Sequence, residues 1–165
     1  MRITVKRKHK DVAIPQYATE GSAGFDLVAD SFMTLYKGEK LIPLDEVMKH
    51  SLEQNYITLR QGERVLIGTG LFVSFPAGYE LQIRDRSGIA LKKGLKVMNS
   101  PGTIDSDYRG EIGVIIGNLS GSLIRINLGE RIAQAVLTTY VKAEFHEEDT
   151  LDETHRLGGF GSTGI

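Results

Sequence analysis

Gly94-Leu95-Lys96-Val97-Met98-Asn99-Ser100-Pro101-Gly102-Thr103-Ile104-Asp105-Ser106-Asp107-Tyr108-Arg109-Gly110-Glu111-Ile112-Gly113-Val114-Ile115-Ile116 sets two short apolar runs, 94–98 and 112–116, on either side of a polar stretch. Each run has the length of one strand, so the segment reads as two strands joined through a turn. Pro101-Gly102 marks that turn, Pro fixing φ and Gly able to take φ > 0, which lets neighbouring backbone amides line a pocket. The stretch between the runs carries an amide, carboxylates, an aromatic ring and an arginine, more chemistry than chain reversal needs. On these residues alone, a polar hairpin loop and a functional pocket are both open.

Working outward, the same pattern recurs. Ile3–Val5, Phe25–Ala29, Tyr56–Leu59, Val65–Ile67, Leu71–Phe75, Glu80–Ile83, Leu123–Ile126 and Ile132–Val141 are further apolar runs, separated by Gln61-Gly62, Pro76-Ala77-Gly78 and Leu128-Gly129. Short strands at close spacing predict an all-β fold of the sandwich, jelly-roll or barrel kind. One segment differs: within Ile42–Glu53, Leu44, Val47, Met48 and Leu52 fall at helical spacing, with Asp45 and Glu46 early and Lys49 and His50 late, which predicts one helix.

The chain has 165 residues, the size of one domain, and its 41% apolar and 25% charged content is that of a globular protein. It has no run of about 18 apolar residues, and Met1–Lys10 alternates charge with Ile3 and Val5, so the expectation is a soluble, cytoplasmic protein without a membrane partner. With no Cys there are no disulfides, thiolate nucleophiles or Cys-containing zinc sites. The four His are scattered, which leaves a hard cation held by oxygens as the metal to expect. A net charge of −1 gives no case for direct nucleic-acid binding. Basic residues nonetheless crowd the start (Arg2, Lys6, Arg7, Lys8, Lys10) and acidic ones the end (Glu144, Glu147, Glu148, Asp149, Asp152, Glu153), either as solvated termini or as a contact between subunits. The Gly-x-Gly-x-x-Gly and Walker-type nucleotide motifs are absent.

Three other stretches carry chemistry. Arg84-Asp85-Arg86-Ser87-Gly88 closes a predicted strand with cations, a hydroxyl and a glycine, suited to an anion or to a salt-bridged turn. In Glu130-Arg131-Ile132-Ala133-Gln134-Ala135-Val136, strand alternation sets Arg131, Ala133 and Ala135 on one face and Ile132, Gln134 and Val136 on the other. Gln134 on that apolar face needs partners, in the core or in a ligand. The tail Leu157–Ile165 is glycine-rich and forms no element alone, yet Arg156, Phe160, Gly161, Ser162 and Thr163 suit wrapping a phosphate and stacking on a ring.

Taken in order, Ala23-Gly24-Phe25-Asp26-Leu27, Arg86-Ser87-Gly88, Gly102–Gly110, Glu130–Gln134 and Arg156 with Gly158–Gly164 resemble the five motifs of the trimeric dUTP pyrophosphatases, or dUTPases. The resemblance implies a jelly-roll-like β domain over 1–155, with an insertion at about 31–55, and a flexible phosphate-covering tail at 156–165. It implies a homotrimer whose active sites are shared between subunits, and Mg²⁺-dependent hydrolysis of dUTP to dUMP and pyrophosphate, which keeps uracil out of DNA and supplies dUMP. By the same resemblance Asp105 is the general base, Gln134 lies near the α-phosphate and the attacking water, and Tyr108 packs on the deoxyribose. Asn99 reads the uracil edge in the pocket built with Gly102, Thr103 and Ile104. Arg86, Ser87 and Gly88 contact phosphates, and Asp26 contacts the metal through water. Phe160 stacks on the base, while Arg156, Gly161, Ser162 and Thr163 close over the phosphates. The fifth motif is one residue shorter than the family pattern; alignment from Leu151–Thr154 assigns Arg156 to the phosphate arginine, and alignment from the glycines assigns His155. A dCTP deaminase of the same fold is the alternative, disfavoured by Ile115 where that chemistry resembles one needing Glu. A dUTPase-fold regulatory protein is the other.

Overall fold

The computed structural model describes residues 1–44 and 55–155. The helix expected within 42–53 falls mostly outside them, as does the tail 156–165. The chain runs through β1 (Thr4–Arg7), β2 (Phe25–Val28), β3 (Ser31–Lys37), β4 (Lys40–Pro43), β5 (Tyr56–Leu59), β6 (Arg64–Gly68), β7 (Leu71–Ser74), β8 (Tyr79–Arg84), α1 (Ser87–Lys93), β9 (Leu95–Val97), β10 (Gly102–Ile104), β11 (Gly113–Asn118), β12 (Ile124–Asn127) and β13 (Arg131–Thr139). Every named strand pair is antiparallel. This is the all-β architecture that the spacing of apolar runs predicts, of the jelly-roll-like kind that the resemblance implies.

Two sheets carry the core. One has the order β10-β8-β13-β2 and the other β4-β3-β6-β11-β9; the pairs β1-β7 and β12-β5 complete the fold. Leu27, Leu81, Ile83, Ala133 and Ala135 from the first sheet are buried in one cluster with Phe32, Val65, Ile67, Val97, Val114 and Ile116 from the second. Alternation explains most of the selection: Leu27, Phe32, Val65, Leu81, Ile83, Val97 and Val114 are each flanked along their strand by less buried neighbours on the opposite face.

The described part of the 31–55 stretch is built into the second sheet. β3 pairs with β6 and β4 together, Phe32 and Leu44 are buried, and the Arg64 guanidinium stacks 3.7 Å from the Tyr36 ring centroid across the β3–β6 register. Ile42 and Pro43 close β4 rather than opening a helix. Gly38, at φ 62°, makes the β3–β4 turn.

Three local readings are corrected. Ser87 and Gly88 do not end a strand but begin α1, a seven-residue helix capped by Gly94 at φ 64°. The turn before β10 does not use a positive φ at Gly102: the Ser100–Pro101 peptide is cis and Gly102 is a buried strand residue. Its missing side chain serves packing instead, because a Cβ there would lie 3.0 Å from Asn99 Nδ2. Arg131 is also on the other face from the one that alternation assigns. The β13–β2 register slips between Arg131 and Ala133, so Arg131 pairs with Val28, Ala133 with Leu27 and Gln134 with Asp26. The extra residue turns Arg131 onto the Gln134 face and leaves Ile132 and Ala133 both buried.

Candidate active site

Four of the five singled-out stretches lie on or beside one sheet. In the β10-β8-β13-β2 sheet, Asp26, Gln134 and Arg84 form a row, Gln134 being paired with both of the others. Arg86 follows β8 and Arg131 joins through the bulge. These residues, with Gly24 and Val136, line an open cleft of about 440 Å³.

Its electrostatics come from three guanidiniums around one carboxylate. Arg86 donates from Nε to Asp26 Oδ1 (2.6 Å) and from Nη2 to Oδ2 (3.2 Å). Arg131 Nη1 also reaches Asp26 Oδ2, at 3.3 Å. Arg84 is held by Gln82 Oε1, 3.0 Å from its Nε. Three positive charges against one negative leave a formal +2 in this set, which suits a polyphosphate. Gln134 is half-buried, and its Nε2 donates to the Asp85 carbonyl at 2.8 Å. That bond fixes the amide with Oε1 close to Gly24, where a Cβ would stand 3.3 Å away. Asp85 in turn accepts the Val97 N–H at 2.6 Å, tying the end of β8 to β9. Ser87 and Gly88 are exposed in the first turn of α1 beside Arg86.

The other residues lie along and just beyond the opposite edge strand of the same sheet. Gly102, Thr103 and Ile104 form β10, paired with Ile83, Gln82 and Leu81. Asp105 follows at the level of Glu80 and lines a second recess with Glu80, Ser106, Asp107, Tyr140 and Lys142. The loop is closed on itself by Tyr108 N–H to Asp105 O (3.1 Å) and by Arg109 Nη1 to Ser106 O (2.7 Å). The Tyr108 ring is 42% exposed, and its hydroxyl donates to Glu111 O at 3.0 Å.

Within one chain, then, Asp105 and Gln134 are apart. Four residues along β8, from Arg84 to Glu80, and two strand spacings across the sheet separate them by about 17 Å. Asp26, Arg86 and Gln134 come together in one cleft; Asn99 lies against Gly102, level with Ile83 on the opposite edge strand, and Asp105 and Tyr108 follow the far end of that strand. Arg156, Phe160, Gly161, Ser162 and Thr163 lie outside the described residues.

Sequence reasoning sets Arg84 among the cations suited to an anion without giving it a site role, and it misses Arg131 as a member of the cleft. Arg84 is two residues before Arg86, a visible signal; Arg131 is brought in only by the bulge, which leaves no mark in the sequence. Among the described residues no group of three or more His, Asp or Glu could hold a metal, and no helix is long and apolar enough to cross a membrane.

Comparison with known proteins follows the same lines. The chain is similar over its whole length to the deoxyuridine 5'-triphosphate nucleotidohydrolases of Hydrogenobaculum sp. (46% identical, 99% of that protein covered) and Helicobacter pylori strain P12 (43%, 98% covered). In fold it is similar to a Staphylococcus bacteriophage 80alpha dUTPase mutant with dUpNHpp, at a TM-score of 0.74 and 23% identity, with 99% of each chain covered. It is also similar in fold to a mutant dUTPase of phage phi11 of S. aureus, described with a structural Mg(II) ion, at a TM-score of 0.68 and 20% identity over 91% of this chain and 98% of that one. Residues 50–164 match the model of the dUTPase family, and with relatives of this similarity along its full length the chain belongs to that family.

Proposed function

We propose that this protein hydrolyses dUTP to dUMP and pyrophosphate at sites shared between the subunits of a homotrimer. Water attacks the α-phosphate, forming a new P–O bond as the bond from Pα to the α,β-bridging oxygen breaks and pyrophosphate leaves. Asp105 orients the water and takes its proton. Gln134, held by the Asp85 carbonyl through one Nε2 hydrogen, has the second to donate toward the same phosphate and Oε1 to accept from the attacking water. Arg86, Arg131 and Arg84 supply the positive field for the triphosphate, with Ser87 adding a hydroxyl, and Asn99 across Gly102 contacts the uracil edge. Tyr108 packs on the deoxyribose and leaves no room for a 2′-hydroxyl.

One observation carries the shared site: the two groups assigned to one α-phosphate, Asp105 and Gln134, are about 17 Å apart in a single chain by strand register. They can meet on one nucleotide only if they come from different copies. The segment after β13 supports association as well. It exposes Val141 (94%), Phe145 (93%) and Leu151 (92%), while Ile3, Val5, Tyr17, Phe25, Val73 and Leu137 line an apolar groove. Exposed side chains of this size ask for a covering surface.

The donor set fits Mg²⁺ only in one manner. Asp26 is a lone carboxylate already engaged by two arginines, so it fits an ion carried by the triphosphate, whose waters it would contact, rather than an ion caged by protein oxygens. Bound there, the ion supplies charge neutralisation on the phosphates. The test is pyrophosphate release from dUTP, dCTP, dTTP and UTP with Mg²⁺. Turnover confined to dUTP is expected; turnover of dCTP, or none of dUTP, overturns the proposal.

A further inference from the structure

Tyr108 stands half-exposed on a loop, and such a ring has a fixed pose only where something beyond the loop holds it. Two contacts define the pose. The hydroxyl donates to the Glu111 carbonyl at 3.0 Å, and the ring lies across Gly110, where a Cβ would stand 2.3 Å from the phenolic oxygen. The ring therefore follows the backbone at 110–111.

That backbone is fixed from inside the domain by the Glu111 side chain. Its carboxylate is only 10% exposed. Oε1 accepts the Gly70 N–H at 2.8 Å and Oε2 accepts from Lys8 Nζ at 3.0 Å. The group lies against Gly68, where a Cβ would meet Oε1 at 2.4 Å. Lys8 and Gly70 are themselves joined, Lys8 N–H to Gly70 O at 2.8 Å, and the next residue, Ile112, donates its N–H to Leu71 O at 2.8 Å. A carboxylate this buried is costly where only a chain reversal is needed, because both its charge and its oxygens must be matched. Here its bonds tie the end of the loop to the β6–β7 corner, through Gly70, and to the end of β1, through Lys8.

We propose that Glu111 is a positioning residue for the sugar pocket: its buried carboxylate sets the Tyr108 ring, and discrimination against a 2′-hydroxyl depends on it. The inference rests on the dUTPase reading above and deepens it.

Wild-type, Glu111→Ala, Glu111→Gln and Lys8→Met proteins are compared for kcat/KM on dUTP and on UTP. Wild-type turnover of dUTP is the control for the underlying reading; without it that reading falls and takes this inference with it, whereas an active wild type lets the variants speak for Glu111 alone. In Glu111→Ala the dUTP-to-UTP ratio falls roughly tenfold or more, since a displacement well under 1 Å admits the extra hydroxyl. Glu111→Gln keeps an acceptor for the Gly70 N–H and recovers most of the ratio, remaining about two- to threefold below wild type. In a crystal structure of Glu111→Ala, the Tyr108 hydroxyl no longer meets the carbonyl of residue 111. A wild-type ratio in Glu111→Ala, with both substrates losing rate in parallel, marks a merely structural residue and overturns the proposal. Should Glu111→Ala fail to fold, the other two variants decide: a ratio lowered about twofold or more in either supports it, and wild-type ratios in both overturn it.

Discussion

Replacing Asp26 by Asn removes the one negative charge from among Arg84, Arg86 and Arg131 and keeps the size of the side chain, taking the formal charge of the set from +2 to +3 (three Arg less one Asp, then three Arg alone). Asp26 now takes hydrogen bonds at 2.6, 3.2 and 3.3 Å from two of these arginines. A phosphate oxygen seated against the guanidiniums stands about 6 Å from the lost charge, where Coulomb's law gives roughly 0.7 kcal/mol in bulk water and about 3 kcal/mol at an effective dielectric of about 20. The participating side chains are 25% to 64% exposed, so screening sets the effect near the lower end, about 1 kcal/mol or fivefold. Calorimetric titration with pyrophosphate in metal-free buffer is expected to give about fivefold tighter binding to Asp26→Asn than to wild type. With Mg²⁺ present the sign reverses, because Asn accepts weaker hydrogen bonds from the waters of the ion than a carboxylate does, and magnesium pyrophosphate binds more weakly to the variant. Metal-free binding that is unchanged or weaker would refute the reasoning, since Asp26 would then not be what limits the positive potential of the cleft.

Asn118, with no solvent exposure, bonds Leu59 O (2.9 Å), Ser122 O (2.7 Å), Ser120 N–H (2.9 Å) and Ser120 Oγ (2.8 Å). Asn118→Ala removes four hydrogen bonds from a fully buried position, leaving Ser122 O and the Ser120 N–H without this partner, and is expected to cost about 3 kcal/mol in urea unfolding at fixed protein concentration; less than about 1 kcal/mol contradicts this. Gly68→Ala sets a methyl 2.4 Å from Glu111 Oε1 and 2.6 Å from Ser31 Oγ, so it lowers stability by about 2 kcal/mol and displaces the buried carboxylate, which a melting curve and a crystal structure of the variant check. Deleting residues 156–165 leaves the melting temperature unchanged and reduces dUTP turnover by roughly a hundredfold; full activity would remove the tail from the proposed site.

Much of the fold is legible because its strands are local. The runs at 65–67, 71–75, 80–83, 112–116 and 132–141 each coincide with a strand, since one buried face imposes alternation that the eye can follow. Helix α1 is not legible: it has seven residues and only Ile89 is buried, too little for a helical stripe, and Lys92-Lys93-Gly94 is its one signal. The β3–β4 hairpin is obscured because residues such as Thr34 and Tyr36 are partly exposed and give no clean apolar run. At the site, residue types are readable but partners are not. Asp26 and Arg86 are 60 positions apart and meet through strand order, and Arg131 joins them by a bulge that pure alternation contradicts. Glu111 looks like the solvated end of a loop, and only its contacts with Lys8 and Gly70 reveal a buried anchor.

The measurement that bears most directly on a shared active site is subunit complementation. Asp105→Asn and Gln134→Ala are each expected to be nearly inactive alone. Co-expressed in equal amounts, they assemble at random. A site that draws Asp105 from one chain and Gln134 from another receives the intact residue with a chance of one half at each position, so about one quarter of wild-type dUTP turnover returns. A mixture no more active than its two components, with mixed trimers demonstrated by native mass spectrometry, would mean that both groups serve a site from the same chain and would contradict the shared-site mechanism.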